Sequence, residues 1–172
     1  MAIFPGSAIP SAVSAYDIDN SLRFNDGDTP YLSRTPGSAG NRRTWTFSCW
    51  TKIGNVGESL TLLAASVSST GLQFRFDTGG LLNYWLGGSG GEVITTQAFR
   101  DPSAWYHIVL ALDTTQATDT NRLKIYVNGD QITAFGTTDY PAENLEMSIN
   151  DTEAQYIGAY GTGHSAPYDG YL

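Results

Sequence analysis

Apolar and polar residues alternate along much of this chain with the period of two that a half-buried β-strand requires. Residues 44–53 are the clearest case. Trp45, Phe47 and Cys49 fall on one face there, and Thr46, Ser48 and Trp50 on the other. Further strands are predicted at 21–25, 31–34, 60–67, 72–76, 81–86, 92–96, 105–113, 123–127, 147–149 and 155–159. Gly, Pro, Asn or Asp ends each of them, as turn chemistry demands. The run WYHIVLALD over 105–113 is apolar on both faces, which predicts a central strand covered on both sides. In RLKIYVNGDQIT, Leu123, Ile125 and Val127 alternate with Lys124 and Tyr126, and Asn128-Gly129 suits the positive φ angles of a type I′ hairpin turn. Helical periodicity is hard to find and nothing repeats internally. Short strands at this spacing predict an all-β sandwich or barrel. Residues 1–20 lack alternation and are rich in Ala, Ser and Pro. They are expected to form an extended arm, ordered by contact with other chains, before one domain over 21–172.

A chain of 172 residues suits a single domain. Charged residues make up 15%, low against a typical ~25%, so surface polarity must come from Ser, Thr, Asn and Gln. The net charge of −8 disfavours phosphate backbones and anionic membranes as partners, and leaves carboxylates that could hold calcium. The one cysteine, Cys49, excludes an internal disulfide and sits in a strand pattern as a small buried hydrophobe. The N-terminal stretch has no Lys or Arg before Arg23 and is broken by Pro5 and Pro10, so no signal peptide is expected. No run approaches the ~20 apolar residues of a membrane span. A soluble protein made in a cytoplasm is the expectation.

The segments SLRFNDGDTPYL, TWTFSCWTK, SAWYHIVLALD, LKIYVNGDQI and YDGYL occur in the order found in laminin-G-like, concanavalin A-like jelly rolls. The resemblance covers about residues 21–172 and implies a two-sheet antiparallel β-sandwich. The segments YDIDNSLRFND, YLSRTPGSAGNRRTWTFSCW and DTTQATDTNRLKIYVNG resemble a subgroup found in structural proteins of bacteriophages, especially marine ones. That likeness implies a non-enzymatic virion protein, such as a tail fibre or a head fibre or decoration, made in the host cytoplasm. Its implied partners are other virion subunits, in a homo-oligomer, and host cell-surface glycans. A purely structural assembly module without ligand is the alternative, and a glycan-degrading enzyme of the same fold a third reading. Residues 168–172 resemble the opening of the family's closing strand. A longer polypeptide, or strand addition by a neighbouring chain, is expected to complete it.

Candidate chemistry is sparse. Glycan hydrolases of this fold resemble one another in a Glu-x-Asp-x-(x)-Glu strand, which puts two carboxyl groups on one face. Here Glu143, Glu146, Asp151 and Glu153 have the wrong spacing and lie among loop residues, so no catalytic residues are assigned. His107, inside a strand, is expected to be hydrogen-bonded and structural. His164, in a Gly-rich loop, is a candidate ligand contact. Trp45, Trp50 and Trp105 are expected in the core. Tyr84 and Trp85 precede the Gly-rich loop 87–91, and Tyr140, Tyr160 and Tyr168 fall in or beside loops. With Asp139 and His164 these form the candidate saccharide-binding set, because pyranose faces stack on such rings while polar groups take the hydroxyls. No cofactor is expected other than calcium, for which Asp26, Asp28, Asp77, Asp113 and Asp151 are the candidate donors.

Overall fold

Backbone pairing organises the described residues of the computed structural model, which are 20–65, 71–88 and 91–172, into thirteen strands. They are β1 Arg23–Phe24, β2 Leu32–Arg34, β3 Thr44–Ile53, β4 Leu60–Ala65, β5 Leu72–Phe76, β6 Leu81–Leu86 and β7 Glu92–Ala98. There follow β8 Tyr106–Asp113, β9 Leu123–Val127, β10 Asp130–Gln131, β11 Phe135–Asp139, β12 Gln155–Ile157 and β13 Gly170–Tyr171. Two sheets result, one in the order β1-β13-β3-β8-β9-β10 and one in the order β11-β7-β6-β5-β4-β12-β2. All pairs are antiparallel, so the fold is the two-sheet β-sandwich. The arm expected over 1–20 lies, apart from Asn20, outside the described residues.

Period-two alternation builds the core. Leu72, Phe74 and Phe76 of β5 and Leu82, Tyr84 and Leu86 of β6 point inward and are buried. From the other sheet, Ile108, Leu110 and Leu112 of β8 and Leu123, Ile125 and Val127 of β9 meet them. β8 is central, as its apolar sequence predicts, although His107, Val109 and Ala111 on its outer face remain half-exposed. Asn128 and Gly129 carry φ of 54° and 92°, and the β9–β10 hairpin closes over them as expected.

Three expectations need correction, and one strand was not expected at all. Residues 147–149 form no strand. Met147 and Ile149 are buried, but this stretch is held by Met147 N–H to Arg42 O and by Arg42 Nε to Met147 O (2.6 Å), not by a ladder. β11 was invisible to periodicity, because FGTTD has little apolar alternation and lies on a sheet edge with a bulge. Trp50 is 48% exposed on the outer face of β3, stacked on His107 at 5.1 Å. Trp105 is 42% exposed just before β8, beside Tyr171 at 6.2 Å. Alternation placed Trp50 opposite Phe47 correctly, and nothing covers that outer face among the described residues. His107 is hydrogen-bonded to Ser48 Oγ at 2.9 Å and accords with its expected structural part.

The row expected to go unpaired at the closing strand is partly filled. β13 pairs with β1 on one side and with Ile53 and Lys52 of β3 on the other. Gly170 makes this passage possible: its φ is +132°, and a Cβ there would overlap the Lys52 carbonyl. Along 44–51, β3 pairs only with β8 among the described residues.

Candidate functional site

The outer face of the larger sheet carries a polar row that the core-facing alternation creates. With Phe74 and Tyr84 turned inward, Gln73 and Arg75 of β5 and Asn83 and Trp85 of β6 turn outward. Register sets Gln73 beside Trp85, Trp85 beside Glu92 of β7, and Glu92 beside Asp139 of β11. The segment after β12 folds over this face. Tyr160 and Ser165 exchange backbone hydrogen bonds at 2.9 and 3.0 Å across a tight turn, and Thr61 N–H donates to Ala166 O at 3.1 Å. A cleft of about 370 Å³ is left between, lined by Gln73, Arg75, Trp85, Tyr160, Ser165 and Ala166.

Aromatic walls and a polar floor define this cleft. The Trp85 and Tyr160 rings meet edge to face, with centroids 6.4 Å apart and planes at 83°. Beneath them, Arg75 Nη1 donates to Gln73 Oε1 at 2.6 Å, and Gln73 Nε2 donates to Thr61 Oγ1 at 2.9 Å. That chain fixes the Gln73 amide, since its oxygen must face the guanidinium. Thr61 and Gln73 are buried on a face that in an open sheet would be wet. Arg75 Nε and Asn83 Oδ1, on directly paired residues, are buried with no hydrogen-bond partner among the described residues. Asn83 Nδ2 instead donates to Glu92 Oε1 at 2.9 Å.

The predicted aromatic set divides. Trp85 and Tyr160 come together in the cleft. Asp139 lies in the same row two strands from Trp85, exposed on the edge strand β11. Tyr140, next to it, is half-buried against the core, and burial with the nearby Asp119 raises its hydroxyl pKa. His164 stacks on Tyr31 (3.8 Å, 15°) and meets Tyr156 edge to face, and it is not among the cleft's lining residues. Tyr84 and Tyr168 are fully buried and must leave the candidate ligand set. Tyr84 faces inward because β6 alternates from Trp85, and burial drives its pKa upward. Tyr168 packs edge to face on Phe24 at 5.9 Å and hydrogen-bonds the Thr51 hydroxyl. Sequence reading missed Gln73 and Arg75, although LQFRF, with polar residues at alternate positions of an apolar strand, held the signal.

A family model described as the concanavalin A-like lectin/glucanases superfamily, Laminin_G_3, matches residues 26–172. The chain belongs to that superfamily. Domains LG4-5 of the mouse laminin α1 chain are similar in structure at 13% identity and a TM-score of 0.53, over 82% of this chain and 36% of that one. This chain thus spans about a third of the length of that two-domain LG4-5 chain. The CBM40 of the Ruminococcus gnavus IT-sialidase, bound to α2,3-sialyllactose in its structure, is also similar. It has 13% identity and a TM-score of 0.53, over 84% of this chain and 88% of that one. Identities this low establish a shared fold alone. No curated protein sequence matches.

For a member of a superfamily that includes glucanases, the positions of the carboxylates matter. Glu146 bridges Arg42 and Arg43 at 3.4 and 3.0 Å, Asp151 pairs with Arg42 at 2.9 Å, and Glu143 lies 3.8 Å from Arg122. These acids hold a loop to the sandwich. The candidate calcium donors are likewise engaged in local contacts or dispersed. Asp77 Oδ1 accepts from the Gly79 and Leu81 N–H groups, Asp113 caps the turn at Thr115 and Gln116, and Asp28 accepts from Asn25. Asp26 lies within reach of Asn55 only at 3.5 Å. Among the described residues no three His, Cys, Asp or Glu side chains converge as a metal site would need.

Proposed function

We propose that this domain is a non-catalytic saccharide-binding module and that the Trp85–Tyr160 cleft receives the sugar. One observation carries the reading: a half-exposed tryptophan and a tyrosine stand over a hydrogen-bonded polar floor in a cleft of about 370 Å³. The apolar face of a pyranose stacks on such a ring, while amide and guanidinium groups take its hydroxyls. The sialyllactose bound to the similar CBM40 supports the same use of the fold. The cleft's lining of Gln73, Arg75, Trp85, Tyr160, Ser165 and Ala166 favours binding over hydrolysis, which needs two carboxyl groups flanking the scissile bond. The sequence resemblance to phage structural proteins extends the reading. The module is then displayed on a virion appendage, built in the host cytoplasm with other virion subunits, and meets glycans on the host surface.

A glycan array with purified protein, followed by calorimetry on each hit, tests the reading. Wild type is expected to bind a saccharide, and Trp85→Ala to weaken it by roughly tenfold or more through loss of the stacked ring. Trp105→Ala should leave affinity unchanged. Binding indifferent to Trp85 would overturn the site.

A second reading, an assembly module without ligand, draws on a different observation. Trp50 and Tyr171 of the smaller sheet and Trp105 just before β8, beside Tyr171, are exposed by 48%, 37% and 42%. Clustered exposed aromatics mark contact surfaces. A blank glycan array, with incorporation into particles lost in a Trp50→Ala/Trp105→Ala variant, would favour it.

A further inference from the structure

Arg75 lines the cleft without an acid. Arg42, Arg43 and Arg122 all have carboxylates within 4.0 Å, and no such partner reaches Arg75 among the described residues. Among the described residues its side chain hydrogen-bonds the neutral Gln73, and its Nε is buried without an acceptor. Glu92, on the same outer face in the row of Trp85, is taken by Asn83, the residue register-paired with Arg75. Arg23, Arg34 and Arg100 also lack a carboxylate partner among the described residues, but of these four only Arg75 lines the cleft and buries a guanidinium nitrogen without an acceptor. Partial burial makes the unpaired guanidinium costly until something supplies the negative charge. The planar fork of a guanidinium matches a carboxylate better than it matches single hydroxyls.

We infer that the cleft selects an acidic saccharide, with Arg75 receiving a sugar carboxylate while the pyranose face rests on Trp85. The assignment rests on the saccharide-binding reading above and names its substrate class. Tyr160 then closes the other side of the ring, and the Gln73–Thr61 hydrogen bond holds Arg75 in place from beneath. Glu92, one strand beyond Trp85, limits where the carboxylate can sit, since an anion on that side would meet a like charge.

Matched ligands separate this inference from the reading it rests on. Calorimetry would compare oligogalacturonides and 3′-sialyllactose with their carboxyl-reduced counterparts, in which each carboxylate is a hydroxymethyl group. At least one acidic member should bind roughly tenfold or more tighter than its reduced partner, the worth of a charge-assisted hydrogen bond. Arg75→Gln should erase that ratio, so that the acidic member and its reduced partner bind the variant equally. Arg75→Lys keeps the charge, loses the fork and should retain only part of the ratio, which covers the case where the glutamine variant does not fold. Equal binding of acidic and reduced members, still sensitive to Trp85→Ala, would overturn the acidic class and leave the saccharide reading standing. No binding to either series, with no hit on the full array, would overturn both.

Discussion

Asp113 ends β8, and its carboxylate collects the Thr115 hydroxyl at 2.6 Å, the Gln116 amide at 2.7 Å and the Thr115 N–H at 3.1 Å. These bonds favour the ionised form and lower its pKa from an ordinary 3.8 to about 2. A carboxylate depressed on folding contributes stability above its unfolded pKa and loses it as pH falls through the folded value. The turn's contribution is therefore whole above about pH 4 and fades towards pH 2. Asp113→Asn should flatten the acid limb of a stability–pH curve between those limits, as followed by urea unfolding. An unchanged slope would show that the carboxylate does not act there. Packing makes the opposite kind of demand. Phe74 is fully buried, and Phe74→Ala should cost ~3–5 kcal/mol, whereas Trp105→Ala, 42% exposed, should cost well under half of that. Chemical denaturation of the two variants reads the difference. Residue type alone could not have ranked them. Trp105 and Phe74 both sit in apolar runs, and only the register of the sheets decides which ring meets the other layer. The same holds for Tyr84 and Trp85, adjacent in sequence and on opposite faces.

At the scale of elements, β3 has one edge served along its length by β8 and the other served only at Lys52 and Ile53 by β13. Trp45, Phe47 and Cys49 face the core from the part of β3 that lacks the second neighbour, and all three are only partly buried. Burial still pushes the Cys49 thiol up to about 12, so it should resist alkylation at pH 8 until the domain unfolds. Amide exchange on the isolated domain should alternate along 44–51, with protected amides towards β8 and open ones between them. Uniform protection there would mean that another strand completes the edge. Strands with clean alternation were legible from sequence to within a residue or two, and the Asn128-Gly129 turn fixed its hairpin. β11 was not, because an edge strand has too little burial to leave a pattern. The stretch over 147–149 erred the other way. Its apolar residues are buried, but the Met147 backbone bonds to Arg42, a partner 105 residues away in sequence that no local pattern reveals.

For the whole molecule, the sandwich offers two outer faces of different character. The larger sheet bears the Trp85 cleft with Arg75 and Gln73 beneath, and the smaller bears Trp50, Trp105 and Tyr171 in the open. Fold class could be read from the chain, whereas Trp50 and Trp105, expected in the core, stand outside it, and Tyr84 and Tyr168, expected at loops, are buried. The cleft could not be read, because it forms only where the turn between Tyr160 and Ser165 lies over β5 and β6, far apart in sequence. The chain's four tryptophans report on these regions separately. Trp45 faces the interior with a buried indole N–H, Trp50 and Trp105 stand on the smaller sheet, and Trp85 stands in the cleft. Titrating ¹⁵N-labelled protein with an oligogalacturonide or 3′-sialyllactose, and following the four indole N–H resonances, tests the central claim directly. The Trp85 signal should shift with ligand while Trp45, Trp50 and Trp105 stay in place. Movement of Trp50 or Trp105 with Trp85 unmoved, or no movement with any saccharide, would contradict it.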